Sequence, residues 1–202
     1  MTGKPLPVIA IDGPAASGKG TIARALAQAF QFDHLDTGAL YRAVAALVLR
    51  AGGDPASPQD AIAATRLFKP GIVPDAELRT DTIGEASSIV SAIPEVRAAL
   101  REYQLAMAAR PPGGRGVVID GRDIGTVICP TAPVKLFVTA AVEERARRRW
   151  RELQGYGIPK AYERILDELK ARDLRDSTRL VSPLKPAADA VLLDTTALSI
   201  AE

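Results

Sequence analysis

Cysteine, histidine and aromatic residues are all scarce in this sequence. Cys129 is the only cysteine, so an intramolecular disulfide is excluded and a thiol-reducing compartment is expected. His34 is the only histidine, and its place before a predicted helix favours a structural role over a catalytic one. No apolar run approaches the ~20 residues that span a bilayer, and the first residues resemble neither a secretory nor a transit peptide. We therefore expect a cytoplasmic protein that does not associate with membranes.

An excess of charge of one sign is also missing, because the formal net charge is only +2. Nucleic-acid-binding proteins carry a larger and more clustered positive excess, so no nucleic-acid partner is expected. Of the 26 basic residues only 7 are lysine, and the rest are arginine. Arginine can bind phosphate through two parallel hydrogen bonds, which suits a protein that handles phosphate. A general preference for arginine codons explains the composition equally well.

The pattern of hydrophobic residues indicates an α/β fold. The apolar run Val8–Ile11 ends at Asp12 and a Gly-Pro pair, as expected for a buried parallel strand, and helical spacing follows it. Residues 54–115 are rich in proline and carry helical but no strong strand patterns, so they are interpreted as an inserted helical subdomain. Further strands are predicted at 32–36, 116–120, 134–138 and 190–194, and helices before Gly52-Gly53, at 142–153 and at 161–174.

A glycine-rich loop lies between the first predicted strand and the first helix. Glycines let such a loop curl around phosphate with its amide groups pointing inward, and the helix that follows adds a favourable dipole. Lys19 supplies a cation for the β- and γ-phosphates and Thr21 a hydroxyl for Mg²⁺. Gly20 separates these two residues, a variant of the phosphate-binding loop found in nucleoside monophosphate kinases. The predicted ATP-binding loop consists of Gly13, Pro14, Ala15, Ala16, Ser17, Gly18, Lys19, Gly20 and Thr21.

Over nearly its whole length the chain resembles the bacterial-type cytidylate kinase family. The most specific stretch is DGRDIGT at 120–126, followed closely by PTAPVK at 130–135. The other matching motifs are IDGPAASGKGT (11–21), LDTGALYR (35–42), ERARRR (144–149), LKARDLRDSTR (169–179) and PAADAVLLDTT (186–196). The resemblance implies the P-loop nucleoside monophosphate kinase fold, with a parallel sheet flanked by helices, a helical acceptor-binding insert and a short lid. It also implies phosphorylation of CMP, and of dCMP, by ATP with Mg²⁺.

The resemblance also implies a role for individual residues. Arg42, Arg122 and Arg179 would hold the acceptor phosphate, and Asp176 would accept a hydrogen bond from the ribose. Ser88, Arg97 and Asp123 would read the cytosine edge, with Ser87 as a competing assignment for Ser88. Thr21 would bind Mg²⁺ directly and Asp120 through water. The residues implied to bind CMP are Thr37, Tyr41, Arg42, Ser88, Arg97, Arg122, Asp123, Arg172, Asp176 and Arg179, and the catalytic residues are Lys19, Asp120, Arg122, Arg172 and Arg175.

Roles other than substrate binding stay open for several of these residues. Arg172, Arg175 and Arg179 also have the spacing of a solvated helix face. The arginines at 145–151 fit a mobile lid over ATP better than a nucleic-acid surface, because Glu143, Glu144 and Glu152 interrupt the charge. The expected segments are a core at 1–36, 116–150 and 172–202, an acceptor-binding insert at 37–115 and a lid at 151–171.

Two alternative functions are also kept. One is a small P-loop kinase acting on UMP or on a metabolite hydroxyl, for which Asp36 or Asp123 would serve as the base. The other is a nucleotide-binding or nucleic-acid-binding module that uses the arginine-rich helix. The segment 67–82 is shorter than in many bacterial relatives of the family. For the preferred function we expect a monomer whose partners are the small molecules ATP and CMP or dCMP.

Overall fold

A parallel five-stranded sheet forms the centre of the molecule. The computed structural model describes residues 6–200, so residues 1–5 and 201–202 of the first and last expected core segments lie outside the described residues. The strands are arranged in the order β2-β3-β1-β4-β5 and all pairings are parallel. The predicted α/β class is thus confirmed. The strands are β1 (Val8–Asp12), β2 (Asp33–Asp36), β3 (Val117–Gly121), β4 (Val134–Thr139) and β5 (Val191–Asp194).

Helices cover both faces of this sheet and make up the insert between β2 and β3. As predicted, residues 54–115 form helices and contain no strand. None of the helices within residues 6–200 combines the length and the hydropathy needed to cross a membrane. The helices are α1 (Lys19–Phe30), α2 (Thr37–Arg50), α3 (Pro58–Leu67), α4 (Asp75–Leu78), α5 (Asp81–Val90), α6 (Pro94–Ala109), α7 (Val142–Gly155) and α8 (Tyr162–Thr178), with a π-helical turn at Ile124–Ile128.

The core is divided by the sheet into two layers. On one face Ile9, Ile11 and Val118 pack against α1 through Ala23 and its neighbours. On the other face the sheet packs against α2 and the insert, which is why β1 and β3 are buried along their whole length. Continuous apolar runs in central parallel strands follow from this two-sided burial.

Helices α7 and α8 pack against each other through a smaller apolar cluster. Leu153 of α7 and Ile165 of α8 are its most deeply buried large side chains, and Ala15 of the glycine-rich loop packs against the cluster. Helix α8 extends to Thr178, four residues beyond its predicted end, so Asp176 belongs to the helix itself. The helix pair therefore joins the phosphate-binding loop directly.

Three aspartates meet at the carboxyl edge of the sheet. Asp12, Asp36 and Asp120 lie at or next to the ends of β1, β2 and β3, and Asp36 is in register with Asp120. The glycine-rich loop leaves the same edge directly after β1. In open parallel sheets ligands bind outside this edge, where connections to helices diverge. The fold thus places the predicted site residues around one point.

Candidate active site

The glycine-rich loop adopts a tightly curled backbone that fits an anion. Gly13 has φ +154°, and a Cβ there would lie 2.0 Å from the carbonyl oxygen of Val138, so no larger residue fits. Gly18, with φ +89°, forms the N-cap of α1, and Ala16 is also left-handed. Lys19 begins α1 and donates a hydrogen bond to the carbonyl of Pro14 at 3.2 Å. Amide groups at the start of a helix together with a lysine form a phosphate site.

Contacts from distant parts of the chain hold this loop in place. The Thr195 hydroxyl, just after β5, donates to the carbonyl oxygen of Ser17 at 2.9 Å and accepts from Arg148 Nη1 at 2.9 Å. Arg145 is buried and donates to the carbonyl oxygen of Ala15 at 3.2 Å. Arg145 and Arg148 thus brace the loop in this structure, and a mobile lid formed by the arginines at 145–151 stays a prediction. The motif that contains Thr195 was recognised in the sequence, but its spacing gives no hint of this contact.

The environment of Lys19 favours the neutral form of its side-chain amine. Burial lowers its pKa to about 7, and the nearby positive charge of Arg122 adds to the effect, while Asp120 and Asp36 oppose it. The Asp120 carboxylate is held by His34, whose Nε2 lies 2.7 Å from Oδ1. Its Oδ2 lies 3.9 Å from the position that a Cβ on Gly20 would take. Asp120 thus lies beside the first turn of α1, and His34 has the orienting role that suits a structural histidine.

The start of α2 brings two further groups to the cleft. Asp36 caps the helix by accepting from the amide of Ala39 at 3.1 Å, and it accepts from Arg42 Nη2 at 2.7 Å. Burial alone would raise the pKa of Asp36, but Arg42 and Lys19 outweigh it and hold that pKa below its usual range. The Thr37 hydroxyl donates to the carbonyl oxygen of Asp120 at 2.8 Å. Sequence reasoning missed this capping role of Asp36, although an aspartate just before a helical pattern is a recognisable signal.

A buried ion pair forms the wall near α6. Arg97 Nη2 donates to Asp123 Oδ2, and both residues are less than a tenth exposed. Arg97 Nη1 also donates to the carbonyl oxygen of Ser91 at 3.2 Å, and the guanidinium lies 5.6 Å from the centre of the Tyr41 ring. Arg179 Nη2 is 4.0 Å from Asp123 Oδ1. Four predicted acceptor-binding residues therefore converge on one spot.

The competing serines of α5 occupy different positions. Ser87 lines the cleft, whereas Ser88 does not line it and accepts a hydrogen bond from Arg175 Nε at 3.2 Å. The Ser87 hydroxyl donates to the carbonyl oxygen of Gly84 at 2.8 Å. The pairing of Ser88 with Arg175 joins two residues that the sequence assigned to separate roles.

Arginines crowd one side of the cleft, and several of their buried nitrogen donors make no hydrogen bond within the described residues. Within residues 6–200, Arg42 Nε, Arg172 Nε and Arg179 Nη2 are buried without a hydrogen bond. Burial lowers the pKa of Arg172 to about 10, and the neighbouring charge of Arg122 contributes. Leaving buried donors unpaired is unfavourable by about 1–3 kcal/mol each, and more for charged groups. An anion held in the cleft would relieve both this penalty and the mutual repulsion.

Asp176 is the carboxylate that organises this arginine cluster. It is buried, and its Oδ2 accepts from Arg122 Nε at 3.0 Å. Burial would raise the pKa of Asp176, but Arg122 and Arg172 outweigh it and keep the pKa below its usual range. The sequence motif alone did not indicate this pairing with Arg122, which lies on another segment of the chain.

Most of these groups line a single cleft of about 690 Å³, within the range of ~300–1,000 Å³ that is usual for ligand sites. Gly13, Pro14 and Ser88 do not line it. The predicted site residues that line the cleft are Ala15, Ala16, Ser17, Gly18, Lys19, Gly20, Thr21, Thr37, Tyr41, Arg42, Arg97, Asp120, Arg122, Asp123, Arg172, Arg175, Asp176 and Arg179.

Comparison with known proteins gives a consistent result. The family model described as cytidylate kinase matches residues 9–202. The chain is 54% identical over 191 residues to a cytidylate kinase of Paramagnetospirillum magneticum, with 95% of this chain and 90% of the relative covered. It is 54% identical to a cytidylate kinase of Rhodospirillum rubrum, with 95% of this chain and 91% of the relative covered. It is 55% identical to a cytidylate kinase of Granulibacter bethesdensis, with 95% of this chain and 90% of the relative covered.

Proposed function

The chain belongs to the cytidylate kinase family, and from this membership we propose that it transfers the terminal phosphoryl group of ATP to CMP, and to dCMP. The observation that carries the proposal is the set of buried arginine donors that make no hydrogen bond to described residues, in the same cleft as the phosphate-binding loop. One cleft thus offers two anion-binding regions, as a reaction between two phosphates requires. Such an enzyme needs only small-molecule partners, and we propose that it acts as a monomer in the cytoplasm.

The donor side would be built from the loop at 13–21, whose amide groups and Lys19 surround the phosphates of ATP. Arg122, Arg172 and Arg175 would neutralise charge on the transferred group. The acceptor phosphate would be held by Arg42, Arg122, Arg172 and Arg179, with Thr37 and Tyr41 at the start of α2 beside it. Arg97, Asp123 and a serine of α5 would read the base, because cytosine presents one donor that needs an acceptor and two acceptors that need donors.

Mg²⁺ fits this arrangement as an ion bound mainly by phosphates and water. No group of three or more histidine, cysteine or carboxylate side chains within residues 6–200 could enclose a metal ion. Mg²⁺ is usually held by one or two protein ligands, water and substrate phosphates. The exposed Thr21 hydroxyl would bind it directly, and Asp120, oriented by His34, would bind it through water. When bound, the ion supplies charge neutralisation between the β- and γ-phosphates.

The protein's part in the reaction is positioning and electrostatic stabilisation. The attacking acceptor oxygen is already anionic, so no strong general base is needed. The hydroxyl-acceptor alternative would need a free carboxylate, but Asp36 is paired with Arg42 and Asp123 with Arg97. A nucleic-acid-binding role for α7 is likewise disfavoured, because Arg145 is buried among protein contacts.

Water must be kept out while the phosphoryl group is transferred. Asp81, at the start of α5 in the insert, accepts from Arg149 at 2.5 Å and from Lys160 at 2.8 Å, so the insert and the α7–α8 region contact each other at the cleft. We propose that the segment 151–171 serves as a lid and 37–115 as the acceptor-binding insert. The core would then consist of 1–36, 116–150 and 172–202.

A panel of nucleoside monophosphates tests the proposal directly. With ATP and Mg²⁺, kcat/KM for CMP is expected to exceed that for UMP, AMP and GMP. Cytosine offers an amino donor to Asp123 and acceptors to Arg97, whereas uracil inverts this pattern and the purines have a different shape. Formation of ADP in a coupled assay measures each rate. Turnover of a hydroxyl compound without turnover of CMP would overturn the proposed function.

Sugar discrimination tests Asp176. A ribose 2′-hydroxyl can donate to this carboxylate and deoxyribose cannot, and a hydrogen bond to a charged group contributes about 1.5–3 kcal/mol, or roughly ten- to a hundredfold. The variant Asp176→Ala is expected to lose activity on both sugars, because Arg122 loses its partner, but to lose more on CMP than on dCMP. Values of kcat/KM for both substrates measure the gap. Equal losses would mean that Asp176 acts only by holding Arg122.

A further inference from the structure

Asp12 is a buried carboxylate that the proposed mechanism does not use. It ends β1, immediately before the glycine-rich loop, and is 4% exposed. It does not line the cleft. Its two oxygens accept separate hydrogen bonds, Oδ1 from the amide of Ile124 and Oδ2 from the amide of Gly125, both at 2.8 Å. The side chain thus points to the loop after β3.

The two amides belong to a turn that offers them no carbonyl partner of its own. Ile124 and Gly125 are the first residues of the π-helical turn, and the first amides of any helical element lack carbonyl partners within it. Asp123 immediately precedes the turn, and its carbonyl accepts from Val127 at 2.9 Å and Ile128 at 3.1 Å. The Asp12 carboxylate therefore holds the amino end of the turn just where the side chains of 122–123 reach into the cleft.

The charge on Asp12 strengthens this contact. Burial raises the pKa of Asp12 to about 6, and the two amides limit the rise, so the group is still mainly ionised at neutral pH. The charged neighbours on the loop are Asp123, which raises the pKa further, and Arg122, which lowers it. Hydrogen bonds to an ionised acceptor are about twice as strong as neutral ones.

Neighbouring side chains limit the space around the contact. A Cβ on Gly125 would lie 3.4 Å from Asp12 Oδ2 and 3.2 Å from Cδ of Lys135. Gly121, before the loop, would bring a Cβ to 2.6 Å from Thr37 Oγ1. The loop is thus confined on both sides, and its depth relative to β1 is set by the carboxylate.

We propose that Asp12 is a positioning residue for acceptor recognition, fixing through two backbone amides where Arg122 and Asp123 face the cleft. This inference rests on the proposed function, in which those two side chains bind CMP. Asp12 does not touch the substrate and acts through the loop alone. It links β1, which leads into the ATP-binding loop, to the segment that reads the acceptor.

The variant Asp12→Asn tests this role while keeping the size of the side chain. Its amide oxygen can accept one backbone hydrogen bond, but its NH₂ group faces the other amide, so the loop shifts. KM for CMP is expected to rise by about tenfold or more, whereas KM for ATP stays within about twofold of the wild type. The preference for CMP over UMP is expected to fall, because Asp123 is displaced.

Asp33→Asn is the matched control. Asp33 begins β2, and its Oδ2 accepts from the amide of Gly113 at 2.7 Å. It therefore also holds a loop that is distant in sequence, but at the amino ends of the strands, away from the cleft. Its KM values and its CMP preference are expected to stay at the wild-type level. A second variant, Gly125→Ala, would place a methyl group 3.2 Å from Lys135 Cδ and 3.4 Å from Asp12 Oδ2, so it presses on the same turn from the other side. It is expected to raise KM for CMP even if Asp12→Asn fails to fold.

Failure of the proposed function and failure of the positioning role of Asp12 give different results. If the wild type shows no preference for CMP, the proposed function is wrong and no variant is needed to see it. If the wild type prefers CMP but the folded Asp12 or Gly125 variants change both KM values equally, or neither, the positioning role is wrong. Circular dichroism and thermal unfolding establish which variants are folded.

Discussion

The variant Lys19→Met is expected to lower kcat by about a hundredfold or more while leaving the fold intact. Lys19 begins α1 within the ATP-binding loop and lies near Arg122, Asp120 and Asp36. Its charge is worth most when negative charge shifts towards the leaving oxygens in the transition state, so the loss falls on kcat. Steady-state kinetics with ATP and CMP measure it, and a near-normal kcat would mean that the loop is wrongly assigned.

The same variant is expected to be more stable than the wild type in the absence of nucleotide. Below pH 7 Lys19 is protonated in both the folded and the unfolded state, and the folded state holds that charge unfavourably. Between pH 7 and 10.5 the unfolded state binds more protons than the folded state, so the stability of the wild type rises with pH. The advantage of the variant is therefore greatest below pH 7 and disappears towards pH 10.5.

Urea unfolding at pH 6.5 and pH 9 measures this difference. Lys19 is partly accessible to water, and solvent screening weakens the effect of its charge. The free energy of unfolding of Lys19→Met is therefore expected to exceed that of the wild type by about 1–3 kcal/mol at pH 6.5. Arg24→Met serves as a control, because it removes an exposed cation from the same helix. A variant less stable than the wild type at pH 6.5 would show that the lysine is not under strain in the free protein.

The variant Arg97→Met is expected to raise KM for CMP by about ten- to a hundredfold, with little change in KM for ATP. Arg97 and Asp123 are both buried, and removing one partner leaves the other charge unpaired. The free energy of unfolding is expected to fall by roughly 3–5 kcal/mol, towards the lower end because Arg179 lies 4.0 Å from Asp123. Kinetics with each substrate varied in turn and urea unfolding measure the two effects.

A double variant separates recognition from stability. In Arg97→Met/Asp123→Leu the buried charge is gone as well as its partner, so much of the lost stability is expected to return. Recognition of CMP is not expected to return, because neither base-reading group remains. Equal changes of KM for CMP and ATP in the single variant would assign Arg97 a purely structural role.

The class of fold could be predicted from the sequence because its evidence is local. The run Val8–Ile11 is apolar without interruption, and the structure buries it on both faces in the middle of the sheet. The glycine-rich loop was recognisable for the same reason, since nine consecutive residues at 13–21 contain the whole phosphate-binding element. The proline-rich stretch at 54–115 also forms helices, as its pattern indicated.

Helix ends and side-chain partners were less accessible to sequence reasoning. Helix α8 continues to Thr178, beyond the predicted end at 174, and the residues of this added turn make tertiary contacts: Arg175 donates to Ser88, and Asp176 accepts from Arg122. The choice between Ser87 and Ser88 depends on the rotation of α5 about its axis. Packing of α5 against α2, α4 and α8 sets that rotation and turns Ser87 to the cleft.

The sequence by itself determined the α/β class, the phosphate-binding loop and the family, because each depends on neighbouring residues or on whole motifs. Only the tertiary structure decided that Asp176 pairs with Arg122, that Thr195 braces Ser17 and that Asp12 holds the amides of 124–125. These partners are 54, 178, 112 and 113 residues apart. Local propensities cannot encode such pairings, which follow from the order of the strands in the sheet and the packing of helices on it.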